Sequence, residues 1–437
     1  MNSLRRLTAL PAFAILPLLL APALHAGATI DVSAAEHVHP ALPVIPHHTF
    51  NLADFGAVGD GRTMNTAAFT AAISTVARAG GGQLVVPKGV YRTQPFVLCS
   101  SLDLHLDAGA VIQAPATFED AGLPDPSTLH SQAEVKAKVK TPAPLITGDN
   151  LHDLALTGAG TIDGEGAHWW AWSERAGRAE PGRLVYTRPN MVVISGCERL
   201  LVADLTFSNS SRYHLVTRNV TDLTVERVKV RAPFNAPNTD AIDYGPGTNF
   251  WIHDCDIDTG DDDICAKSGG TNILIENNTI RHGHGISIGS GTTLGIHNML
   301  VRHCTFDGAD YAIRIKSMRG AGGDVSNVRY TDITMKNVGN AIMLYSDYVD
   351  GNRPDFKGDA TKVPSFHDVL IDHVTVESAR NAGRIVGLPE SRITNIELRD
   401  VHITAEKALE IKDADEPTRE NVTVTIKPDL LPPRIRE

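Results

Sequence analysis

From Asp153 onward the chain repeats one pattern, an Asn or Asp followed by apolar residues at roughly alternate positions. It reads Asp222-Leu223-Thr224-Val225-Glu226-Arg227-Val228-Lys229-Val230 and again Asn249-Phe250-Trp251-Ile252-His253-Asp254-Cys255-Asp256-Ile257. Further copies begin at Asn272, Asn298, Asn327, Asp368 and Asn395, about every 23 to 29 residues, with one longer excursion around Tyr348 to Val363. Alternation marks strands, and a turn residue at a fixed place marks a coil that closes on itself. Leucine-rich horseshoes share such a period, but their Leu-x-x-Leu-x-Leu motif and per-repeat helix are missing here. The pattern predicts an all-β chain, a single-stranded right-handed parallel β-helix whose coils stack ~4.8 Å apart, so that residues in one column become neighbours. The column of Asn249, Asn272, Asn298, Asn327 and Asn395 is expected to form a ladder of amide hydrogen bonds inside a turn.

One stretch has helical spacing instead. In Thr66 to Ala79, Phe69, Ile73 and Val76 share a face, Asn65 or Thr66 is placed to cap the start, and Gly80-Gly81-Gly82 ends it. A stack of coils has an apolar end that needs covering, so this N-terminal helix is predicted to cap it. The polar, proline-bearing stretch from Ala114 to Lys140 breaks the repeat and predicts a long surface loop over one face. At the start, Arg5 and Arg6, an apolar run from Leu7 to Leu24, and small residues near Ala26 and Ala28 have the three parts of a secretory signal peptide. Pro11, Pro17 and Pro22 argue against a permanent span, and no later segment is apolar enough for one, so no membrane partner is expected. Residues 1–28 are therefore read as a leader and 29–437 as one β-helix domain, secreted or periplasmic, with no linker dividing it.

The cysteines, Cys99, Cys197, Cys255, Cys265 and Cys304, are odd in number and widely spread, unlike a disulfide scaffold. Cys255 and Cys304 share a repeat position that is mostly Val or Ile elsewhere, which predicts buried core thiols. No zinc spacing is present, and no metal or cofactor is expected. A net charge of -11 argues against a nucleic-acid binder. Net charge is not local potential, however, and a groove with Lys267, Arg314 and Lys316 can be positive on an acidic body.

Candidate chemistry lies at the start of successive strands. The repeats carry Asn238-Thr239-Asp240, Gly260-Asp261-Asp262, Gly283-His284-Gly285 and Arg314-Ile315-Lys316. Aligned on Ile242, Ile264, Ile286 and Ile313, they put Asp240, Asp262 and His284 in one column with Asp261 beside it. With the isoleucines inward, Arg314, Lys316 and Asp261 face outward. Strict alternation turns Asp240 and Asp262 inward, but they lie in the turn before the strand, and burying unpaired carboxylates is costly. Acids and bases are therefore placed on one surface. Like charges a few ångströms apart raise one another's proton affinity, and one protonated with one ionised carboxyl is the equipment for glycosidic hydrolysis. The basic residues suggest a sugar that itself carries a carboxylate. Asp263 leaves open a second pairing, Asp262 with Asp263. Tyr213 and His214, one rung earlier, are either substrate contacts or core.

The chain resembles the polygalacturonases, the pectin-hydrolysing glycoside hydrolases of family 28. The likeness extends from Asp54-Phe55-Gly56-Ala57 through Gly160-Thr161-Ile162-Asp163-Gly164 and Trp169-Trp170 to Arg188-Pro189 and the four motifs, over nearly the whole mature chain. It implies a monomeric catalytic domain acting on a pectic polysaccharide. Asp261 would be the general acid, Asp240 and Asp262 would activate water in a single inverting displacement, and His284 would tune the acid. Asn238 would bind substrate, and Arg314, Lys316 and Tyr348 would grip the sugar on the leaving-group side. Hydrolysis of rhamnogalacturonan or substituted galacturonan, a pectate-type lyase, and a non-catalytic carbohydrate-binding β-helix stand as alternatives.

Overall fold

Each repeat leaves one apolar face per strand, which a lone strand cannot bury and a stack of coils can. In the computed structural model, which describes residues 30–180, 182–349 and 356–432, twenty-eight strands join one sheet among those residues. They pair in parallel from coil to coil. The chain forms the right-handed parallel β-helix that its repeats predict. The signal-peptide reading lies outside the described residues. No described helix is long and apolar enough to cross a membrane.

Ile242, Ile264, Ile286, Ile313 and Ile342 lie side by side in register, all fully buried. Burying an aliphatic side chain contributes roughly 1.5–3 kcal/mol, and a one-residue slip would turn the column outward. The isoleucines thus fix the position of every polar residue beside them.

The amide ladder is present and extends further than the asparagines alone. Asn249 donates to Asp222 at 2.9 Å, Asn272 to Asn249 at 3.3 Å, Asn298 to Asn272 at 3.3 Å and Asn327 to Asn298 at 2.6 Å. Asn395 donates to Asp368. These turn residues have φ between 49° and 60°, the left-handed region that Asn and Asp tolerate best among residues with a Cβ. One sequence choice therefore serves both the bend and the bond.

The capping helix runs from Thr66 to Arg78 and buries Phe69, Ile73 and Val76, with Phe69 stacked on Phe96 at a ring separation of 4.6 Å. Asn65 occupies the N-cap position but makes no cap hydrogen bond. Its amide is taken by Val58, Thr63 and Arg92, an alternative that the helix signal in the sequence does not reveal. The stretch from Ala114 to Lys140 is more ordered than a loop. Ser131 caps a helix from Gln132 to Lys138, and Phe118, Leu129 and Val135 bury against Trp169 and Tyr186. All five cysteines are free thiols, and Cys255 and Cys304 are buried in the core.

Residues 30–48 form an arm along the outside of the stack, running against the direction of the coils. Asn327 donates to the Asp31 carbonyl, and Val32, Ala35 and Val38 cover Leu274 and Leu300. His39 then meets Trp251 edge-on at 6.0 Å. Further along, the Val44 N–H donates to Asp153 at 2.8 Å, and the His48 carbonyl accepts from Gln83 at 2.7 Å.

Candidate active site

All eight residues singled out from the sequence, Asn238, Asp240, Asp261, Asp262, His284, Arg314, Lys316 and Tyr348, line one groove of about 1020 Å³. The turns before the isoleucine column deliver Asn238, the three acids and His284, the strand Tyr311–Lys316 delivers Arg314 and Lys316, and Tyr348 follows the strand Val338–Tyr345. Ala241 N–H donates to the Asp262 carbonyl at 2.9 Å and His284 N–H to the Asp261 carbonyl at 2.8 Å, so the acids occupy consecutive rungs. The glycines of the third motif permit this approach. At Gly285, with φ of 71°, a Cβ would lie 2.2 Å from the Ala312 carbonyl.

Lys267 ties the acids together. Its ammonium donates to Asp240 at 3.1 Å and to Asp262 at 3.2 Å, and lies 3.5 Å from Asp243. Asp262 also accepts from Lys316 at 2.8 Å, from Arg314 at 3.2 Å and from Ser287 at 3.0 Å. Arg314 is braced in turn, with two guanidinium nitrogens on the Tyr345 hydroxyl at 3.0 and 2.8 Å and its plane 4.0 Å from the Tyr311 ring centre. Lys316 lies 5.6 Å from the Tyr348 ring centre. All three predicted grips line the groove, yet in the free protein Arg314 and Lys316 also serve as counter-ions of Asp262.

Asp261 is set apart from this cluster. His284 Nδ1 lies 2.9 Å from its Oδ1, which also accepts from the Asp262 N–H at 3.0 Å, and the Asn238 amide donates to Oδ2 at 3.3 Å. Asn238 is itself held by Arg188 at 2.7 Å. Oδ1 of Asp240 is buried and accepts no hydrogen bond from the described residues.

These surroundings divide the carboxyls. Burial pushes Asp240 well above the usual carboxylate range, with Lys267 only partly opposing it. Burial also acts on Asp262, but Lys316, Lys267 and Arg314 outweigh it and hold the group well below that range. For Asp261, burial is outweighed by the charge and hydrogen bond of His284, and the result is again low. Burial lowers His284 itself, against the pull of Asp261. Asp243 is pushed up to about 6, chiefly by burial. One fold thus spreads the proton affinities of carboxyls on neighbouring rungs.

Asp263 is directed away from the groove. Its oxygens accept from Thr259 at 2.9 Å and from the Gly285 N–H at 2.8 Å, which is the bonding of a turn brace. Tyr213 lines the groove, whereas His214 is fully buried against Ser210 and the Asp240 carbonyl. No separate signal in the sequence marks Asp243, Ser287 or Tyr345. Asp243 and Ser287 share a register column with Arg314, and that outward column was the available clue.

Ligand atoms of Asp261, Asp262 and His284 come within 4.8 Å of one another. Both oxygens of Asp262 are engaged by cationic side chains, so a metal ion would have to displace an ammonium and a guanidinium. The donor set suits proton transfer and anion binding better than metal binding.

The sequence profile of glycosyl hydrolases family 28 matches residues 80–422. The chain belongs to this family. Membership in family 28 makes it a glycoside hydrolase. It is similar to a probable polygalacturonase of Vitis vinifera, 30% identical over 373 residues, covering 82% of this chain and 74% of the relative. It is also similar to the endo-polygalacturonase of Pectobacterium carotovorum subsp. carotovorum, 28% identical over 342 residues, covering 74% and 80% of the two chains. Among solved structures it resembles a hyperthermoactive exopolygalacturonase from Thermotoga maritima, with a TM-score of 0.74, 25% identity, and coverage of 90% and 96%.

Proposed function

We propose that this protein hydrolyses the α-1,4-galacturonosidic bonds of pectin, acting on polygalacturonate as a monomer outside the cytoplasm, with residues 29–437 as its catalytic domain. The observation that carries the reading is the division of labour among three carboxyls in one groove, beside Arg314 and Lys316. Asp261, with its own partners and no lysine or arginine among the described residues bonded to it, is the general acid. Asp240 and Asp262 converge on Lys267 and hold the water, and the unpartnered Asp240 oxygen is a ready acceptor for it. Water adds to the anomeric carbon and gives its proton to this pair, while the glycosidic oxygen leaves with the proton from Asp261, in one inverting displacement. His284, with Nδ1 2.9 Å from Asp261 Oδ1, tunes the proton affinity of that acid.

Three related measurements test this. Purified protein given polygalacturonate should release reducing ends without an unsaturated, ultraviolet-absorbing product; the unsaturated product would identify a lyase. Proton NMR of the first product should show the inverted anomer, and the retained anomer would overturn the single displacement. Asp261→Asn is expected to lower kcat by about 10³-fold and His284→Gln by about 10²-fold. A near wild-type kcat in either variant removes that residue from its role. The names of the relatives include both endo and exo enzymes, so the mode of attack must come from the groove.

A further inference from the structure

The groove is lopsided about its acids. In register, Val216, Asp243, Cys265, Ser287, Arg314 and Met343 mark six successive rungs. The groove lining begins at Val216 and reaches the last rung at Asn340. Asp240 and Asp262 belong to the second and third rungs. One rung, ~5 Å, therefore lies on the N-terminal side of the acids, and three, ~14 Å, on the other. A pyranose unit is comparable in length to one rung.

A wall stands at the short end. Glu174 and Arg175 from the helix Glu174–Ala179 line the groove there with Arg212 and Tyr213. The wall is anchored by the Gly166 N–H on the Asn209 carbonyl at 2.7 Å and by Trp170 Nε1 on the Ser210 carbonyl at 3.1 Å. Gln132 in the preceding insertion exchanges two hydrogen bonds with the Val185 backbone, both at 2.8 Å. Trp169 and Tyr186 share an apolar cluster with the same insertion. Beyond the wall, Arg188 bonds the Ser211 and Pro237 carbonyls and Asn238, which bonds Asp261. The wall and the proposed acid thus belong to one connected frame.

We infer that the enzyme attacks the non-reducing end of the chain and releases one uronic acid per turnover, with Arg175 and Arg212 holding the carboxylate of the terminal sugar. This deepens the proposed reading and rests on it, because Arg314 and Lys316 set the leaving-group side and so place the short end on the glycone side. Arg212 is pre-set over the Tyr213 ring at 4.5 Å.

The test uses oligogalacturonides labelled at the reducing end, with products resolved from the first turnovers. Monomer plus a labelled oligomer shorter by one sugar is the expected result. Internal fragments at early times, or label in the monomer, would overturn the inference and leave the hydrolase reading intact. No product from these or from rhamnogalacturonan would overturn that reading, and this inference with it. Trimming the wall risks misfolding, so the residue test is Arg175→Ala. It should raise KM about tenfold with kcat within about twofold, and an unchanged KM would remove Arg175 from the terminal-sugar contact.

Discussion

Asp243 carries a liability that shows how the site taxes the fold. Its folded proton affinity is raised to about 6 against an ordinary 3.8, chiefly by burial. The folded state therefore binds this proton more tightly than the unfolded chain does. The corresponding stability is present at low pH and is lost as pH rises through about 6. Asp243→Asn should flatten this dependence and gain on the order of 2 kcal/mol above pH ~6, since Lys267 keeps Asp240 and Asp262 as partners. Urea midpoints of both proteins at pH ~4.5 and ~7.5 check it, and parallel changes would sink it. At this scale the sequence showed which residues gather, because register follows from the isoleucines. It could not show that Arg314 and Lys316 bond Asp262 or that Lys267 bridges two acids, because those contacts depend on how far long side chains reach across rungs.

At the scale of elements, the amide ladder separates two effects that one residue combines. Asn298 donates to Asn272 and accepts from Asn327 at φ of 55°. Asn298→Gly keeps the turn and loses the bonds, for an expected cost of about 1–2 kcal/mol. Asn298→Ala loses the same bonds and keeps a Cβ in the left-handed region without the polar side chain that lets Asn tolerate it, and should cost about 1 kcal/mol more. Equal midpoints for the two variants in thermal melts would show that the backbone conformation carries no share. The ladder and the capping helix were legible because each rests on local periodicity. The helix from Gln132 to Lys138 was not, because its single buried residue, Val135, packs on Trp169 and Tyr186, far along the chain.

For the whole molecule, a solenoid joins each coil mainly to its neighbours, so its stability is close to a sum over interfaces. The arm departs from that rule, since Asp31 touches Asn327 across a separation of 296 residues and Val44 touches Asp153. Deleting residues 30–41 uncovers Leu274 and Leu300. It should lower Tm by several degrees and broaden the transition seen by calorimetry, as coils begin to melt separately. An equally sharp transition would mean that the arm adds contacts without coupling. The arm also bears on the order of assembly. Coils can be laid down one on another as the chain is made, but the seat of the arm is complete only once Asn327 is in place. The earliest described segment to be synthesised is thus among the last that can settle, and it closes a structure whose other parts need not wait.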